Sequence, residues 1–537
     1  MKSSSISTLV LILSCSWAAS AGDDFLHCLS QQSWISNVVY TPPNSSYNSI
    51  LQFSIRNLRF DSEYIPKPKV IITPEHESQI PPVVLCARRS GLEIRTRSGG
   101  HDFEGLSYVS LQAPFVILDL INLSEITVNV DRKAAWVGAG ATVGSLYYRI
   151  AEKSPVLGFP AGFCPTVGVG GHFSGGGYGA LMRKYGLSAD QVIDARIIDI
   201  HGRILDRKSM GEDLFWAIRG GGGASFGVIV AWKVRLVDVP ETVTVFTVTK
   251  TVEQNATQLA RQWQYVAPGL DSDLFIGVLL NRVNSTVLFN FFSLFLGGVD
   301  RLLPMLQESF PELGVVREDC IEMSWIQSVL YYSGRTAGSS PDQGLVEGLL
   351  NRTPETVWNL KMKSDYVKEP APESMFQGIV RLLREPEGLL SRVYTIPYGG
   401  RMAEIQESAT PFPHRAGNLY KIAGVAYWQD RDGEDSDKYI RWSRRYYDYM
   451  TPYVSKSPRE VYLNYRDLDI GVNNFGRQTS YKQASIWGMK YFKNNFDRLV
   501  KVKTVIDPTN FFQNEQSIPP CKTRSKMQFP KTVFSYE

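Results

Sequence analysis

The segment Gly158–Gly186 constrains the fold and chemistry of this chain more than any other part of its sequence. It places a single cysteine, Cys164, just before a run of glycines that includes Gly168, Gly170 and Gly171. Because glycine has no Cβ, backbone of this kind can wrap its N–H groups around a phosphate or lie against a flat ring. From this segment alone, Cys164 could be a disulfide partner, a metal ligand, a nucleophile or the attachment point of a cofactor.

Two further segments have the same character. The stretch Ser98–His101, SGGH, follows a strand and presents a histidine on a tight turn, and Trp216–Ile229 contains four consecutive glycines. None of the three segments matches the G-x-x-x-x-G-K-[ST] phosphate loop, and GVGGHF lacks the strand and helix that flank a Rossmann fingerprint. A Rossmann site is therefore disfavoured.

Length and pattern predict the organisation of the chain. At 537 residues it is longer than a single core supports, and its net charge of +4 without a Lys/Arg block gives no reason to expect a nucleic-acid partner. Strands alternate with helices from about Ile65 to Pro240, with a helix opening near Thr142 and a hairpin at His201–Gly202. Longer strands of antiparallel type follow, and the tail is helical up to Asp507. The pattern predicts an α+β protein with a second, antiparallel domain.

The N-terminus has the features of a secretory signal peptide over residues 1–21. Lys2 supplies the positive charge, Leu9–Leu13 the apolar run and Ala19–Ala21 the small cleavage-site residues. No later segment is apolar for long enough to span a bilayer. Export agrees with five Asn-x-Ser/Thr sequons, which predict glycosylation. These sequons are at Asn44, Asn122, Asn255, Asn284 and Asn351.

The cysteines that remain after the signal peptide are odd in number. They contain no C-x-x-C pair and no accompanying cluster of histidines, so a metal site is not expected. In an oxidising compartment an odd thiol is notable. Cys164 is the best candidate for that thiol, because it alone lies in a glycine-rich setting.

Five segments together resemble the berberine bridge enzyme-like family of plant FAD-linked oxidases, most nearly its cannabinoid synthase branch. The segments are SGGHD, CPTVGVGGHFSGGGYG, DLFWAIRGGGG, YLNYRDLD and FFQNEQSIP, and the resemblance runs from about Cys28 to Pro520. It implies an FAD-binding domain of the vanillyl-alcohol-oxidase/PCMH type at residues 22–240, with its core at about 65–240. It further implies an α+β substrate domain at 241–460 with a large antiparallel sheet, and a C-terminal segment, 461–537, that completes the FAD domain.

The resemblance also implies that FAD is attached twice. His101 would join the 8α-methyl group and Cys164 would join C6 of the isoalloxazine, while a disulfide would join Cys28 to Cys86. The remaining cofactor contacts that it implies are Ser98, Gly99, Gly100, Gly168, Gly170, Gly171 and Val167. Valine at the position of Val167 implies access of oxygen to the flavin, and hence an oxidase that returns hydrogen peroxide.

For the catalytic base the resemblance points to Tyr465. A free tyrosine has a pKa of about 10, so a phenolate base needs a cationic neighbour. Lys421 is the candidate for this cation, and Tyr178 matches another position that faces the active site.

The chain departs from its relatives in the predicted substrate pocket. Many relatives have YKIQY where this chain has YKIAG, and many have tyrosine at the position of Phe103. On a strand Lys421, Ala423 and Val425 share one face, so a polar side chain is missing beside the reacting centre. With Gly424 next to it, Ala423 predicts a larger and more apolar pocket, which suits a bulky prenylated phenolic better than a sugar.

These expectations define a leading hypothesis. The chain would be a monomeric FAD-dependent oxidase, extracellular (apoplastic) or vacuolar, that desaturates or oxidatively cyclises a plant specialised metabolite with oxygen as acceptor. One alternative is a redox-silent flavoprotein that catalyses a pericyclic cyclisation. Another is an oligosaccharide or monolignol oxidase, and a non-catalytic storage role is the weakest of the four.

Overall fold

The structure, a computed structural model, describes residues 21–333, 343–353, 356–429, 436–474 and 479–521. The predicted signal peptide lies outside the described residues except for its last residue. The fold is α+β, with three main sheets and helices packed around them. The described helices are residues 21–30, Tyr47–Phe53, Ile80–Ser90, Val143–Ala151, Val169–Ser174, Met182–Tyr185, Arg207–Ile218, Ala256–Val266, Val299–Ser309, Trp325–Tyr332, Glu373–Arg384, Arg401–Glu404, Ser436–Met450, Tyr481–Phe492 and Asn495–Ile506.

The first sheet has four strands and contains the two parallel strand pairs of the described residues. Its spatial order is Val39–Tyr40, Val70–Ile72, Phe115–Asp119 and Glu93–Arg97. Phe115–Asp119 pairs in parallel with both of its neighbours, and every residue in it is buried, as expected for a strand covered on both faces. The helix Ile80–Ser90 ends where Gly91 adopts a positive φ of 68°, a conformation that glycine enters without steric cost. A disulfide between Cys28 and Cys86 ties this helix to the helix at residues 21–30.

The second sheet is antiparallel and lies in the same hydrophobic core as the first. Its order is Ile126–Asn129, Ala134–Gly138, Val228–Arg235, Val192–Ile198 and Ile204–Leu205. The helix Val143–Ala151 begins at Thr142, whose side chain accepts a hydrogen bond from the N–H of Ser145. The short helix Val169–Ser174 follows it along the chain and carries the glycine-rich segment.

The third sheet has seven strands, all antiparallel. Its order is Ile321–Met323, Val243–Thr251, Thr286–Phe295, Leu274–Val283, Arg392–Pro397, Tyr420–Trp428 and Asn359–Val367. Side chains alternate between the two faces of a strand. One face packs against the helices Ala256–Val266, Glu373–Arg384 and Ser436–Met450 in a separate core. The other face is left to line a cavity.

The C-terminal part returns to the first core. The helices Tyr481–Phe492 and Asn495–Ile506 place Trp487, Phe496 and Leu499 among its buried residues. Lys503 is fully buried, and its ammonium donates to the carbonyls of Ser225 and Phe512 and to Asp507, at 2.6 to 2.7 Å.

A buried ionic cluster joins the three parts of the chain. Lys361 and Lys363 on the last strand of the seven-stranded sheet both contact Asp467 of the C-terminal part at 2.7 Å. Lys363 also contacts Asp469 at 2.6 Å, and Lys361 pairs with Glu104 of the FAD-type part.

The sequon asparagines, the free cysteines and the lengths of the helices bear on the expectations from the sequence. All five sequon asparagines are exposed. Cys164, Cys320 and Cys521 form no disulfide within the described part of the chain. Across the described ranges, no helix combines the length and apolarity that a membrane span requires.

Candidate functional site

A cavity of about 1090 Å³ lies between the glycine-rich segments and the open face of the seven-stranded sheet. All nine residues predicted to contact the cofactor line it, as do Tyr178 and Tyr465. The third glycine stretch contributes Gly221, Gly222 and Gly223. Lys421 does not reach the cavity surface and is only 1% exposed.

Backbone geometry fixes the position of His101. The strand Glu93–Arg97 runs into a turn in which Gly100 has a φ of 70°, and a Cβ at this glycine would overlap the carbonyl oxygen of Ser54. A side chain is therefore excluded at Gly100, and the turn presents the imidazole of His101 to the cavity.

The two predicted attachment residues converge on one hydroxyl. His101 Nε2 lies 2.9 Å from Thr166 Oγ1, and Cys164 Sγ lies 3.4 Å from the same oxygen. Burial, together with the nearby Arg56 cation, lowers the pKa of His101 to about 3, so its imidazole is neutral. The Cys164 thiol is exposed. Sequence reasoning did not assign Thr166 a role, although it stands in the CPT motif.

Four of the predicted cofactor residues allow two segments of the chain to pass close to each other; these are Ser98, Gly99, Gly168 and Gly170. Ser98 Oγ donates to the Ala139 carbonyl at 2.5 Å and accepts from Gly170 N at 3.3 Å. A Cβ on Gly99 would overlap the backbone nitrogen of Gly168. These contacts are with protein, so the absence of side chains here is required by the fold itself.

Gly171 is different. It lies in the helix Val169–Ser174, is exposed to the cavity, and no protein atom lies within 4 Å of the position that its Cβ would occupy. The protein itself therefore does not require glycine here. A flat ring lying against this backbone would require it, so the cavity fits the FAD that the sequence implied.

Three tyrosines enclose Lys421. Its Nζ lies 3.1 Å from the ring centroid of Tyr178, 4.3 Å from that of Tyr462 and 4.4 Å from that of Tyr465. The hydroxyls of Tyr178 and Tyr465 are hydrogen-bonded to each other. Tyr462 accepts hydrogen bonds from Gly177 N at 3.0 Å and from a second residue that sequence reasoning missed, Asn464, at 2.9 Å.

The charges in this cluster differ from the expectation. Burial raises the pKa of Tyr465 well above 10, and burial lowers the pKa of Lys421 well below 10.5. The resting site thus holds a neutral phenol at Tyr465 rather than the predicted phenolate, because desolvation opposes a charge on either group. Lys421 lies behind the rings of Tyr178, Tyr462 and Tyr465, which separate it from the cavity.

The predicted enlargement at Ala423 and Gly424 is also not seen. Ala423 is 1% exposed and packs with Met362 and Val425 beneath the rings that line the cavity. Gly424 faces the opposite side of the sheet, where a Cβ would come 2.5 Å from Tyr446 Cε1. Only the change at Phe103 reaches the cavity, where its ring packs edge-on against Tyr465 at 5.4 Å.

Among the described residues, no group of three or more His, Cys, Asp or Glu side chains is placed to hold a metal ion. The arrangement of the two residues predicted to attach the cofactor, a glycine cradle and a tyrosine–lysine cluster is suited to redox chemistry on a bound organic cofactor.

Comparison with known proteins gives consistent results. A family model described as "FAD binding domain" matches residues 68–207, and one described as "Berberine and berberine like" matches residues 461–519. A tetrahydroberberine oxidase from Berberis wilsoniae is 54% identical over 507 residues, which cover 93% of this chain and 94% of the relative. Cannabidiolic acid synthase-like 1 from Cannabis sativa is 50% identical over 520 residues, covering 94% and 95%.

Similarity extends to the three-dimensional structure. The solved structure of BBE-like number 28 from Arabidopsis thaliana superposes with a TM-score of 0.88 at 50% identity, over 93% of this chain and 99% of that one. These similarities span the FAD-type part, the seven-stranded sheet and the C-terminal part together.

Proposed function

The chain belongs to the berberine bridge enzyme-like family of FAD-linked oxidoreductases, and from this premise we propose that it is an oxidase of a bulky, largely apolar metabolite. The observation that carries the proposal is the convergence of His101 and Cys164 on Thr166 Oγ1, in the same cavity as the Tyr465 hydroxyl. Oxygen would receive the electrons, and hydrogen peroxide would be released.

The tethers suit covalent attachment of FAD. A neutral imidazole has a free lone pair, and burial keeps His101 neutral at any pH near 7. Cys164 presents an exposed thiol at the same hydroxyl. Bound FAD supplies the hydride acceptor, while the protein orients the substrate and excludes water.

The tyrosine–lysine cluster takes part in transferring the proton that the substrate loses. A substrate that is desaturated or cyclised loses a hydride and a proton, and oxygen gains both as hydrogen peroxide. Tyr465 faces the cavity and shares a hydrogen bond with Tyr178, so a proton can pass between their hydroxyls. The amine of Lys421, with its lowered pKa, stabilises this exchange from beneath the rings.

The lining favours an apolar substrate. The cavity lining includes four large apolar side chains, those of Phe103, Leu279, Phe292 and Met362. Phe292 lies flat across the sheet because its strand neighbour Gly277 has no Cβ. The hydroxyls of a sugar would stay unpaired where they face these four side chains.

The mass of the purified protein tests the cofactor. We expect the polypeptide to carry the mass of FAD after denaturation, each of His101→Ala and Cys164→Ala to retain it through the other tether, and the double variant to lose it. Cys320→Ala is the control and keeps full flavin content. A wild-type mass without FAD would contradict the proposal.

Turnover is tested separately. Anaerobic addition of prenylated phenols, coniferyl alcohol or cellobiose to the flavin-loaded protein should bleach the flavin with the first class alone. Oxygen should then restore the colour and yield one peroxide per product. Product formed without oxygen consumption would instead favour the redox-silent cyclase.

We also propose that the protein is exported, since its sequons are exposed and it contains a disulfide. A fall in mass after endoglycosidase treatment of the protein from its native source is the expected result.

A further inference from the structure

The cavity-facing side of the seven-stranded sheet has a lysine position at one end and an arginine position further along. Near the tyrosine cluster the strand pair places Lys421 opposite Ile396. Four residues further along the same strand, Val425 lies opposite Arg392, and Asn281 is the partner of Arg392 on its other side. At about 3.3 Å per residue, the arginine position lies about 13 Å from the lysine position. Ala423 and Tyr394 form the pair between them on this face.

The guanidinium of Arg392 has no carboxylate partner. No Asp or Glu side chain of the described residues lies within 4.0 Å of it, although it lines the cavity and is exposed there. The guanidinium interacts instead with the neutral hydroxyl of Tyr394 and lies 5.8 Å from the ring centroid of Tyr427. Tyr394 stands two residues along the same strand, on the same face.

The rest of the cavity offers no compensating negative charge. In the described lining, Asp102 is the one acidic residue, and it is paired with Arg466 at 3.3 Å. Arg95 is paired with Glu515 at 3.2 Å. The cation of Arg392 is thus available to a ligand, and it lies in the substrate half of the cavity.

We propose that Arg392 is a specificity-determining residue that binds a carboxylate at the end of the substrate remote from the oxidised carbon. The inference rests on the proposed oxidase function and narrows its substrate to an elongated, apolar acid. Guanidinium and carboxylate match in geometry and form two charge-assisted hydrogen bonds. The neighbouring Asn281 adds polar surface, while the same charge repels protonated amines.

Binding of three matched probes to the flavin-loaded protein tests the proposal. The probes are 4-hexyloxybenzoate, its methyl ester and 4-hexyloxybenzylamine, which share a shape and differ in charge. Titration by calorimetry should show the carboxylate binding at least about tenfold more tightly than the ester, and the amine binding most weakly. Raising the salt concentration should weaken the carboxylate alone.

Substitutions assign the effect to the residue. Arg392→Met should lower carboxylate affinity about tenfold or more and leave ester affinity unchanged, whereas Arg392→Lys should retain part of the preference because it keeps the charge without the planar fork. Arg261→Met is the matched control, since Arg261 is an exposed arginine at 5.7 Å from a tyrosine ring, outside the cavity lining. It should change nothing. Flavin content and melting temperature of each variant establish that it is folded.

Two results would overturn the proposal: equal affinity of the wild type for all three probes, or an equal loss for all three in Arg392→Met. Neither readout requires turnover. A protein without bound flavin or peroxide release would contradict the oxidase assignment, whereas lost charge selectivity in a flavin-loaded protein contradicts only the role of Arg392.

Discussion

At the scale of single residues, burial decides the chemistry of this site more than pairwise charges do. His101, Lys421 and Tyr465 all lie in or below the cavity, and burial shifts the pKa of each toward its neutral form. Sequence reasoning named all three residues from motif resemblance. It expected a phenolate at Tyr465. The sequence does not reveal how strongly this side chain is desolvated, because desolvation depends on neighbours that only the fold brings together.

Removal of the Tyr465 hydroxyl tests its role in proton transfer. Tyr465→Phe should lower kcat by about 100-fold or more while the flavin content stays full, since a positioned acid–base group contributes on this order. Lys421→Met should lower kcat and move the pH profile, because the amine acts through the rings above it. Tyr265→Phe, at a tyrosine that is 58% exposed, is the control. An unchanged kcat in Tyr465→Phe would exclude its hydroxyl from proton transfer.

The buried environment of a second histidine, His172, predicts that the folded protein loses stability in acid. His172 Nε2 accepts a hydrogen bond from Gly162 N at 3.0 Å, and burial lowers the pKa of its imidazole from 6.5 to about 4. Since the unfolded chain binds this proton first, stability is full above pH 6.5 and falls as the pH drops toward 4. The loss amounts to about 3 kcal/mol at most.

Melting temperatures between pH 7 and pH 4 measure this effect. His172→Gln should show a flatter dependence than the wild type, because its amide accepts the same hydrogen bond without titrating. His201→Gln, at an exposed turn, should match the wild-type slope. Equal slopes in the wild type and His172→Gln would rule out the assignment.

At the scale of elements, regular apolar periodicity made strands and helices predictable. The helix after Thr142, the hairpin at His201–Gly202 and the long antiparallel strands are all present. The strand Asn359–Val367 was not predicted. It contains Lys361 and Lys363, and charged residues usually lie in solvent. Here both are buried, since their carboxylate partners arrive from distant parts of the chain.

The glycine-rich helix allows a test that separates folding from cofactor binding. Gly171→Ala places its methyl group in open space and favours the helix by up to about 1 kcal/mol, so the protein without FAD should be no less stable. The same methyl would occupy the space assigned to the flavin, so the flavin-to-protein ratio should fall. Gly99→Ala should lower stability as well, because its Cβ overlaps Gly168. Full flavin content in Gly171→Ala would remove Gly171 from the cofactor site.

At the scale of the whole molecule, buried ion pairs hold the three parts together. The cluster of Lys361, Lys363, Glu104, Asp467 and Asp469 takes residues from all three. Resemblance to a family predicted that the C-terminal segment returns to the FAD domain. The residues that hold this segment against the FAD domain could not be inferred from the sequence. Paired residues are up to 420 positions apart, as in the ion pair of Arg95 and Glu515.

Removal of one lysine from this cluster should lower the stability of the folded protein. Lys363→Met leaves Asp467 and Asp469 with fewer partners in a buried site and should lower the free energy of unfolding by roughly 3 to 5 kcal/mol. Lys133→Met breaks the exposed pair with Asp238 and should cost less than about 1 kcal/mol. Urea denaturation followed by tryptophan and by flavin fluorescence measures both. Similar costs for the two variants would refute a joining role for the cluster.

The return of the C-terminal part sets an order on biosynthesis. Tyr465 and the carboxylates that pair with the edge strand of the sheet are synthesised after all of the described strands. A nascent chain can form its first core strands early, but its cavity still lacks the lining residues of the C-terminal part. The cavity is therefore completed only when the segment after Trp428 has joined the earlier parts of the chain.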